Sequence, residues 1–160
     1  MGARRPSAGL LLHRRAPSGT LEVLLVHPGG PLWARRDLGA WSIPKGEQEP
    51  GEDALETACR EFAEELGSPT PAGEPLALGE VRLGSGKLVR AWALAGDLDA
   101  EAIVSGTFEL QWPPRSGVIR EFPEVDRAQW FSVQEARERL NPGQVELLER
   151  LVDMLDPSSR

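Results

Sequence analysis

Three acidic residues stand close together in one segment of the 160-residue chain, at Glu61, Glu64 and Glu65. An α-helix turns by about 100° per residue, so their side chains would fall within an arc of roughly 100° on one helical stripe. Carboxylates gathered in this way suit a hard divalent cation such as magnesium, which commonly bridges a few carboxylates to substrate phosphates. Taken alone, such a cluster is more often a solvated helix face. The spacing therefore leaves two interpretations open, a cation site or an acidic surface.

Apolar residues predict the helix that would position these acids. The segment from Glu52 to Leu66 carries apolar side chains at helical spacings of three and four, namely Leu55, Ala58, Phe62 and Leu66. Gly67 follows and supplies the expected C-terminal stop. The apolar face would pack on a sheet, and the acidic stripe borders that face. We therefore expect the carboxylates to lie at the edge of a cleft.

The rest of the chain predicts a single domain over residues 1–160, with a mixed β-sheet covered by helices. Two β-hairpins are expected, and their strands are Ser7 to His13 with Leu21 to His27, and Leu76 to Leu83 with Leu88 to Leu94. Further extended segments are Trp41 to Ile43, Thr107 to Trp112 and Ala128 to Val133, and further helices are Gln134 to Leu140 and Gln144 to Leu155. Residues 113–123 read as a long polar loop, a type that is often functional.

Composition excludes several classes of function. The formal net charge is −7, which does not favour binding to nucleic acid or to an anionic membrane surface. Cys59 is the only cysteine, so an intramolecular disulfide framework and a cysteine-based zinc site are excluded. The early apolar run from Gly9 to Leu12 is too short for a secretion signal or a membrane span. We expect a soluble cytoplasmic protein that is a monomer or a homodimer.

The acidic helix belongs to a longer pattern. Gly46 is followed after five residues by Glu52, and after seven more by the run from Arg60 to Gly67, which contains Glu61, Glu64 and Glu65. This pattern resembles the signature of the Nudix hydrolases through Gly67, and it departs from that signature at Ser68, where the family usually has an aliphatic residue. The resemblance implies an α+β fold, an αβα sandwich with a mixed sheet between helices.

The same resemblance assigns chemistry to these residues. It implies hydrolysis of a nucleoside diphosphate linked to another group, with Mg²⁺, or Mn²⁺ as a substitute, held by Glu61, Glu64, Glu65 and the carbonyl of Lys45. Glu61 and Glu64 are also candidate catalytic residues. Arg60 would orient a carboxylate, and helix spacing offers it Glu64 and Glu56. Glu52 would anchor the loop before the helix. The alternative for Arg60 is an exposed helix ion pair.

A second resemblance concerns the branch of the family. Residues Trp41 to Gly46 look like the Trp-x-x-Pro-Lys-Gly segment of Nudix enzymes that act on diadenosine polyphosphates and diphosphoinositol polyphosphates. Lys45 would then contact a long phosphate chain, or it is a surface lysine. Glu124, six residues before Trp130, resembles an additional acidic ligand of the diadenosine branch. It would serve as general base or metal ligand, and its alternative is a loop surface charge.

Residues for base and phosphate recognition are less clearly marked. Purine bases need a flat surface for stacking, and Trp33, Trp112 and Phe108 lie in or beside the segments expected to flank the acids, although core packing is the more common role of such residues. Lys87 and Arg115 are candidate phosphate contacts or ordinary surface cations. The two histidines, His13 and His27, show no metal-ligand spacing and are given no role.

Together these features predict a magnesium-dependent hydrolase of a small nucleotide substrate, with a diadenosine polyphosphate as the expected substrate. Three alternatives remain open at this point. They are a nucleoside triphosphate pyrophosphohydrolase, a diphosphoinositol polyphosphate phosphohydrolase, and a catalytically silent domain that senses a nucleotide.

Overall fold

The computed structural model describes residues 5–156. The strands are β1 (Ser7–Arg15), β2 (Leu21–Pro28), β3 (Lys45–Glu47), β4 (Leu76–Arg82), β5 (Leu88–Ala95), β6 (Thr107–Gln111), β7 (Ile119–Pro123) and β8 (Val125–Ser132). The α-helices are α1 (Ala54–Leu66), α2 (Val133–Arg139) and α3 (Val145–Leu155), and short 3₁₀ turns cover Ala100–Ala102 and Pro142–Gln144. The predicted helices and the strands of both predicted hairpins are present, with ends that differ by a few residues, whereas β3 and β7 were not predicted.

The main sheet is mixed and has the strand order β4-β5-β1-β2-β8. Strand β1 pairs in parallel with β5 on one side. On its other side it pairs antiparallel with β2 near Arg15 and with β3 near Ser7. Gly9 permits the approach of β3, because a side chain there would collide with the Pro44 carbonyl and with Lys45. The divided pairing of β1 thus brings the segment around Lys45 onto the sheet, just before α1.

Two layers of apolar side chains hold helices on opposite faces of this sheet. Phe62 and Leu66 of α1 pack against Leu10, Leu12 and Leu24 on one face. On the other face a second buried cluster joins α2 and α3 to the sheet and contains Trp41, Phe131, Ala136, Leu147, Leu148 and Leu151. Burial of these side chains supplies the main stabilisation of the three layers. The predicted αβα sandwich is confirmed.

The structure corrects the prediction for residues 113–123. Ile119–Pro123 form strand β7, which pairs antiparallel with β6 in a separate two-stranded sheet, so only the first part of the predicted loop is a turn. Strand β8 also starts earlier than predicted, at Val125. In β7 only Phe122 is partly buried, so its residues lack the apolar alternation that marks a half-buried strand.

The predicted extended segment from Trp41 to Ile43 is reduced to single β-bridges, between Val26 and Ser42 and between Trp41 and Leu140. Within residues 5–156, no helix combines the length and the apolar character needed to cross a bilayer.

Candidate active site on helix α1

Helix α1 has defined ends that set the orientation of its acidic residues. The Asp53 carboxylate caps the first turn by accepting a hydrogen bond from the Leu55 N–H, and Gly67 ends the helix in the left-handed conformation, with φ at 70°. The face that carries Phe62 is fully buried against the sheet. The stripe with Glu61, Glu64 and Glu65 therefore lies along one side of the helix, where Glu61 approaches Gly46 of β3.

Arg60 links the preceding loop to this stripe. Its Nε lies 2.7 Å from Glu52 Oε2, and its Nη2 lies 3.0 Å from Glu52 Oε1. Its Nη1 donates to Glu61 Oε1 at 2.8 Å and approaches Glu64 Oε1 at 3.3 Å. Of the two partners offered by helix spacing, Glu64 is in contact, while the two-pronged bond goes to Glu52. One guanidinium thus orients three carboxylates.

Glu52 is held by several donors at once. Besides Arg60, the Thr57 hydroxyl donates to Glu52 Oε1 at 2.6 Å and the Glu49 N–H donates to the same oxygen at 3.1 Å. These hydrogen bonds, with that from Arg60 the strongest, lower the pKa of Glu52 to about 2. The loop before α1 is therefore tied to the helix through a carboxylate that stays ionised.

Gly46 and Lys45 bring backbone close to the acidic stripe. A β-carbon at Gly46 would collide with the Glu61 carboxylate, so only glycine leaves room for that group. The backbone N–H of Lys45 donates to the Glu65 carboxylate, whose Oε1 is buried without a hydrogen-bond partner. Burial, with a further contribution from the charge of Glu61, raises the pKa of Glu65 to about 8. Burial likewise raises the pKa of Glu61, against the effect of Arg60.

Both lysines of the chain lie near these acids. Lys87, which directly precedes β5, forms an ion pair of 3.1 Å with Glu47. Burial lowers the pKa of Lys45, and the nearby charge of Lys87 lowers it further, whereas Glu65 and Glu61 act in the opposite direction. The two candidate phosphate contacts are thus neighbours although they are 42 positions apart in the sequence.

Two consecutive backbone hydrogen bonds connect Glu124 to helix α1. The Glu124 N–H donates to the Gly106 carbonyl at 2.8 Å, and the Gly106 N–H donates to the Glu64 carbonyl at 3.1 Å. The charge of Glu124 contributes to the raised pKa values of Glu61 and Glu65. The structure therefore brings this residue from the start of β8 to the acidic end of α1, where a general base or a further ligand is geometrically possible.

A cavity of about 350 Å³ adjoins this end of the helix. Its lining combines the acidic side chains of Glu65 and Glu124 with Trp33, Phe108, Leu110 and the segment from Pro28 to Leu32. Its volume lies within the range of small-molecule sites, and its walls combine an apolar surface with a few polar groups, as such sites usually do. Trp33 thus lies where base stacking was expected, and Phe108 faces the same space.

Trp112 and Arg115 lie elsewhere. They belong to the turn that joins β6 to β7, where the Trp112 N–H donates to the Val118 carbonyl at 2.9 Å. Arg115 has a φ of 62° and an exposed side chain, and neither residue lines the cavity. Leu110, which does line the cavity, lies in a predicted strand and has no predicted function. No local pattern distinguishes it from an ordinary strand residue.

The side chains fit a divalent cation in charge and chemistry. In residues 5–156 as placed, no three histidine, cysteine or acidic side chains already converge as a metal cage, since Arg60 engages Glu61 and Glu64. The buried Oε1 of Glu65 nevertheless lacks a partner, and neighbouring carboxylates raise its pKa. Both features would be relieved by a cation, because a buried anionic oxygen without a partner is costly.

The αβα layers and the acid-lined helix beside an aromatic cavity define an α+β protein with a site suited to phosphate chemistry. The family model for the NUDIX domain matches residues 3–151. The chain therefore belongs to the Nudix family, whose hydrolases generally use divalent metal ions. Family membership, together with the retained motif acids, supports the prediction of a pyrophosphohydrolase.

Solved structures share this fold. A C. elegans Ap4A hydrolase binary complex has a TM-score of 0.68 at 21% identity, with 94% of this chain and 98% of that chain covered. The NUDIX domain of Shewanella oneidensis NrtR complexed with ADP ribose has a TM-score of 0.67 at 17% identity, with 97% and 90% covered. The M. smegmatis Nudix hydrolase RenU has a TM-score of 0.61 at 22% identity, with 99% and 89% covered. At these identities the likeness concerns the fold.

Proposed function

We propose that the chain hydrolyses a phosphoanhydride bond in a dinucleoside polyphosphate, with a diadenosine polyphosphate as substrate and Mg²⁺ as the cation. The observation that carries this proposal is the shared cavity, which is lined by Trp33 and Phe108 together with Glu65 and Glu124. An adenine can stack on the aromatic side while its phosphate chain reaches the acidic helix. The motif from Trp41 to Gly46 adds support for this branch of the family.

The roles proposed for the acidic and basic residues follow from their charges. Mg²⁺ held by Glu61, Glu64, Glu65 and the Lys45 carbonyl would neutralise phosphate oxygens and orient the attacking water. The ammonium groups of Lys45 and Lys87 lie near enough to the acids to contact the remaining phosphates. Arg60 keeps Glu61 and Glu64 in position through its bonds to both.

Proton transfer falls to a carboxylate beside the reacting phosphorus. The water oxygen attacks one phosphorus atom, the anhydride bond to the bridging oxygen breaks, and Glu124 or a motif glutamate accepts the water proton. Diadenosine tetraphosphate and one water would yield ATP and AMP. Glu124 is the favoured base, because it lines the cavity together with Glu65 and its charge acts on both Glu61 and Glu65.

The test is a substrate panel with chromatographic identification of the products in Mg²⁺. It contains diadenosine tetraphosphate, ordinary and oxidised nucleoside triphosphates, ADP-ribose and a diphosphoinositol polyphosphate. Release of ATP and AMP from the dinucleotide supports the proposal. Monophosphate and pyrophosphate released from triphosphates, with dinucleotides intact, would assign the chain to the triphosphate pyrophosphohydrolases instead, and cleavage of the inositol compound alone would assign it to that branch.

A matched pair of variants ties the activity to this site. Glu64→Gln removes a motif acid, whereas Glu56→Gln removes an exposed acid from the first turn of the same helix. Loss of activity in the first variant and wild-type activity in the second are expected. Tight nucleotide binding by calorimetry with no turnover of any compound in Mg²⁺ or Mn²⁺ would identify a nucleotide-sensing domain and overturn the proposal.

A further inference from the structure

The histidine at the end of β2, His27, has a fully buried ring held between two oxygen atoms. Nδ1 lies 2.9 Å from Asp126 Oδ1, and Nε2 lies 2.6 Å from the backbone carbonyl oxygen of Arg36. A carbonyl oxygen only accepts hydrogen bonds, and so does an ionised carboxylate. Nε2 therefore donates to the Arg36 carbonyl, Nδ1 shares a hydrogen bond with Asp126, and His27 bridges two segments that are 90 residues apart.

Both segments adjoin residues that line the cavity. Arg36 ends a pair of turns in which the Trp33 N–H donates to the Gly30 carbonyl and the Arg36 N–H donates to the Trp33 carbonyl. Trp33, which these two turns share, lines the cavity. Asp126 lies in β8 two residues after Glu124, which also lines the cavity. His27 therefore connects the turns that carry Trp33 to the start of β8.

Packing around the ring restricts it further. The Trp41 ring meets the His27 ring edge-on at a centroid distance of 5.1 Å, and Trp41 Nε1 donates to Asp37 Oδ1 at 2.8 Å. Asp37 also pairs with Arg139 of α2 at 3.4 Å. The turns that carry Trp33 are thus held at two neighbouring points, at Asp37 by Trp41 and Arg139 and at the Arg36 carbonyl by His27.

We propose that His27 is a positioning residue for substrate binding, acting on Trp33 through its bond to the Arg36 carbonyl rather than by contact with the substrate. The inference rests on the proposed function only in taking the cavity as the nucleotide site. Loss of the bridge releases the turns that carry Trp33, and binding weakens more than the chemical step does.

Three substitutions dissect the bridge. His27→Phe keeps an aromatic ring of similar size and removes both ring nitrogens, so the bonds to Asp126 and to the Arg36 carbonyl are both lost. In His27→Gln the side-chain amide nitrogen reaches the position of Nε2, so the bond to the Arg36 carbonyl is retained. In His27→Asn the amide nitrogen takes the position of Nδ1, so the bond to Asp126 is retained and the bond to Arg36 is lost. His13→Phe is the matched control, because His13 is a buried histidine that does not line the cavity.

The first readout needs no substrate. The protein is labelled with 5-fluorotryptophan, and the Trp33 resonance in its ¹⁹F NMR spectrum is assigned by its absence in Trp33→Phe. We expect the Trp33 resonance to shift or broaden in His27→Phe and His27→Asn, and to stay in place in His27→Gln and His13→Phe. An unchanged Trp33 resonance in His27→Asn overturns the inference, even if His27→Phe fails to fold.

The second readout is steady-state kinetics with diadenosine tetraphosphate. KM is expected to rise about tenfold in His27→Phe and His27→Asn, as for the loss of one positioning hydrogen bond, with kcat changed less than about threefold. KM in His27→Gln is expected to stay within about twofold of wild type. Equal KM values in all variants would show that His27 serves stability alone. Failure of the wild type to cleave this substrate would refute the proposed function, and the fluorine spectra would still decide the role of His27.

Discussion

Substitution of Gly46 by alanine tests the geometry of the acidic helix most directly. The backbone of Gly46 does not have the positive φ that demands glycine, so alanine introduces no conformational strain of that kind. Its β-carbon would instead overlap the Glu61 carboxylate. Non-bonded heavy atoms lie about 3.5–4.0 Å apart, so this carboxylate must move by more than about 1 Å.

The expected effects on stability and on rate depend on which of the colliding atoms can move. The colliding atoms are the end of a flexible side chain, so Glu61 moves and the fold is retained, with the melting temperature within about 4 °C of wild type. The movement disrupts the 2.8 Å bond between Arg60 and Glu61 and displaces a motif carboxylate. A displacement of about 1 Å at a reacting site can lower the rate about 100-fold, which corresponds to about 3 kcal/mol in the barrier.

The assay measures kcat on whichever panel compound the wild type cleaves, and Mn²⁺ affinity by calorimetry. Gly84→Ala is the control, since Gly84 also lacks a positive φ and a β-carbon there meets no atom within 4 Å. We expect Gly46→Ala to lose activity and Mn²⁺ affinity while Gly84→Ala keeps both. A Gly46→Ala protein with wild-type kcat and Mn²⁺ affinity would refute the argument that Glu61 needs its present position.

Three further predictions concern the acids. Glu64→Gln and Glu65→Gln should each lower kcat by about two to four orders of magnitude in Mg²⁺, with melting curves recorded to exclude unfolding. Glu124→Gln should cause a drop of similar size that high metal concentration only partly restores, whereas a near wild-type rate would return proton transfer to α1. Without divalent cations, the melting temperature should fall as the pH rises from 4.5 to about 8, because the folded chain keeps the Glu65 proton that the unfolded chain has released. A variant Glu65→Gln that retains this slope in EDTA would contradict that assignment.

Local sequence patterns were sufficient to predict the elements in which apolar residues alternate or recur at helical spacing. The two hairpins of the main sheet follow from short apolar runs around turn residues, and α1 follows from its spacing of three and four. Strand β7 was missed because its apolar residues Ile119 and Phe122 are three positions apart and fall on opposite faces, so the segment does not show apolar-polar alternation. Its pairing with β6 is a tertiary feature that no window of the sequence contains.

The candidate site, too, could be predicted only in part from local sequence patterns. Helix spacing places Glu61, Glu64 and Glu65 together, and it also gives the contact of Arg60 with Glu64. The stronger bond from Arg60 to Glu52 could not be derived from spacing, because Glu52 lies in the loop before the helix, where no periodicity applies. The cavity also contains Trp33 and Glu124, which are about 90 positions apart. Their proximity depends on the tertiary fold and could not be predicted from local sequence.

The charges of the site favour the binding of a divalent cation. Four carboxylates, those of Glu52, Glu61, Glu64 and Glu65, interact with Arg60 or Lys45, and Glu124 adds a further negative charge near Glu61 and Glu65. Arg60 compensates the side of the helix that faces the preceding loop. On the cavity side, Glu65 is buried with one oxygen unpartnered, and the Lys45 ammonium opposes its charge. Under the proposed function, divalent cations would both complete the coordination of Glu65 and reduce the repulsion between these acids and a polyphosphate.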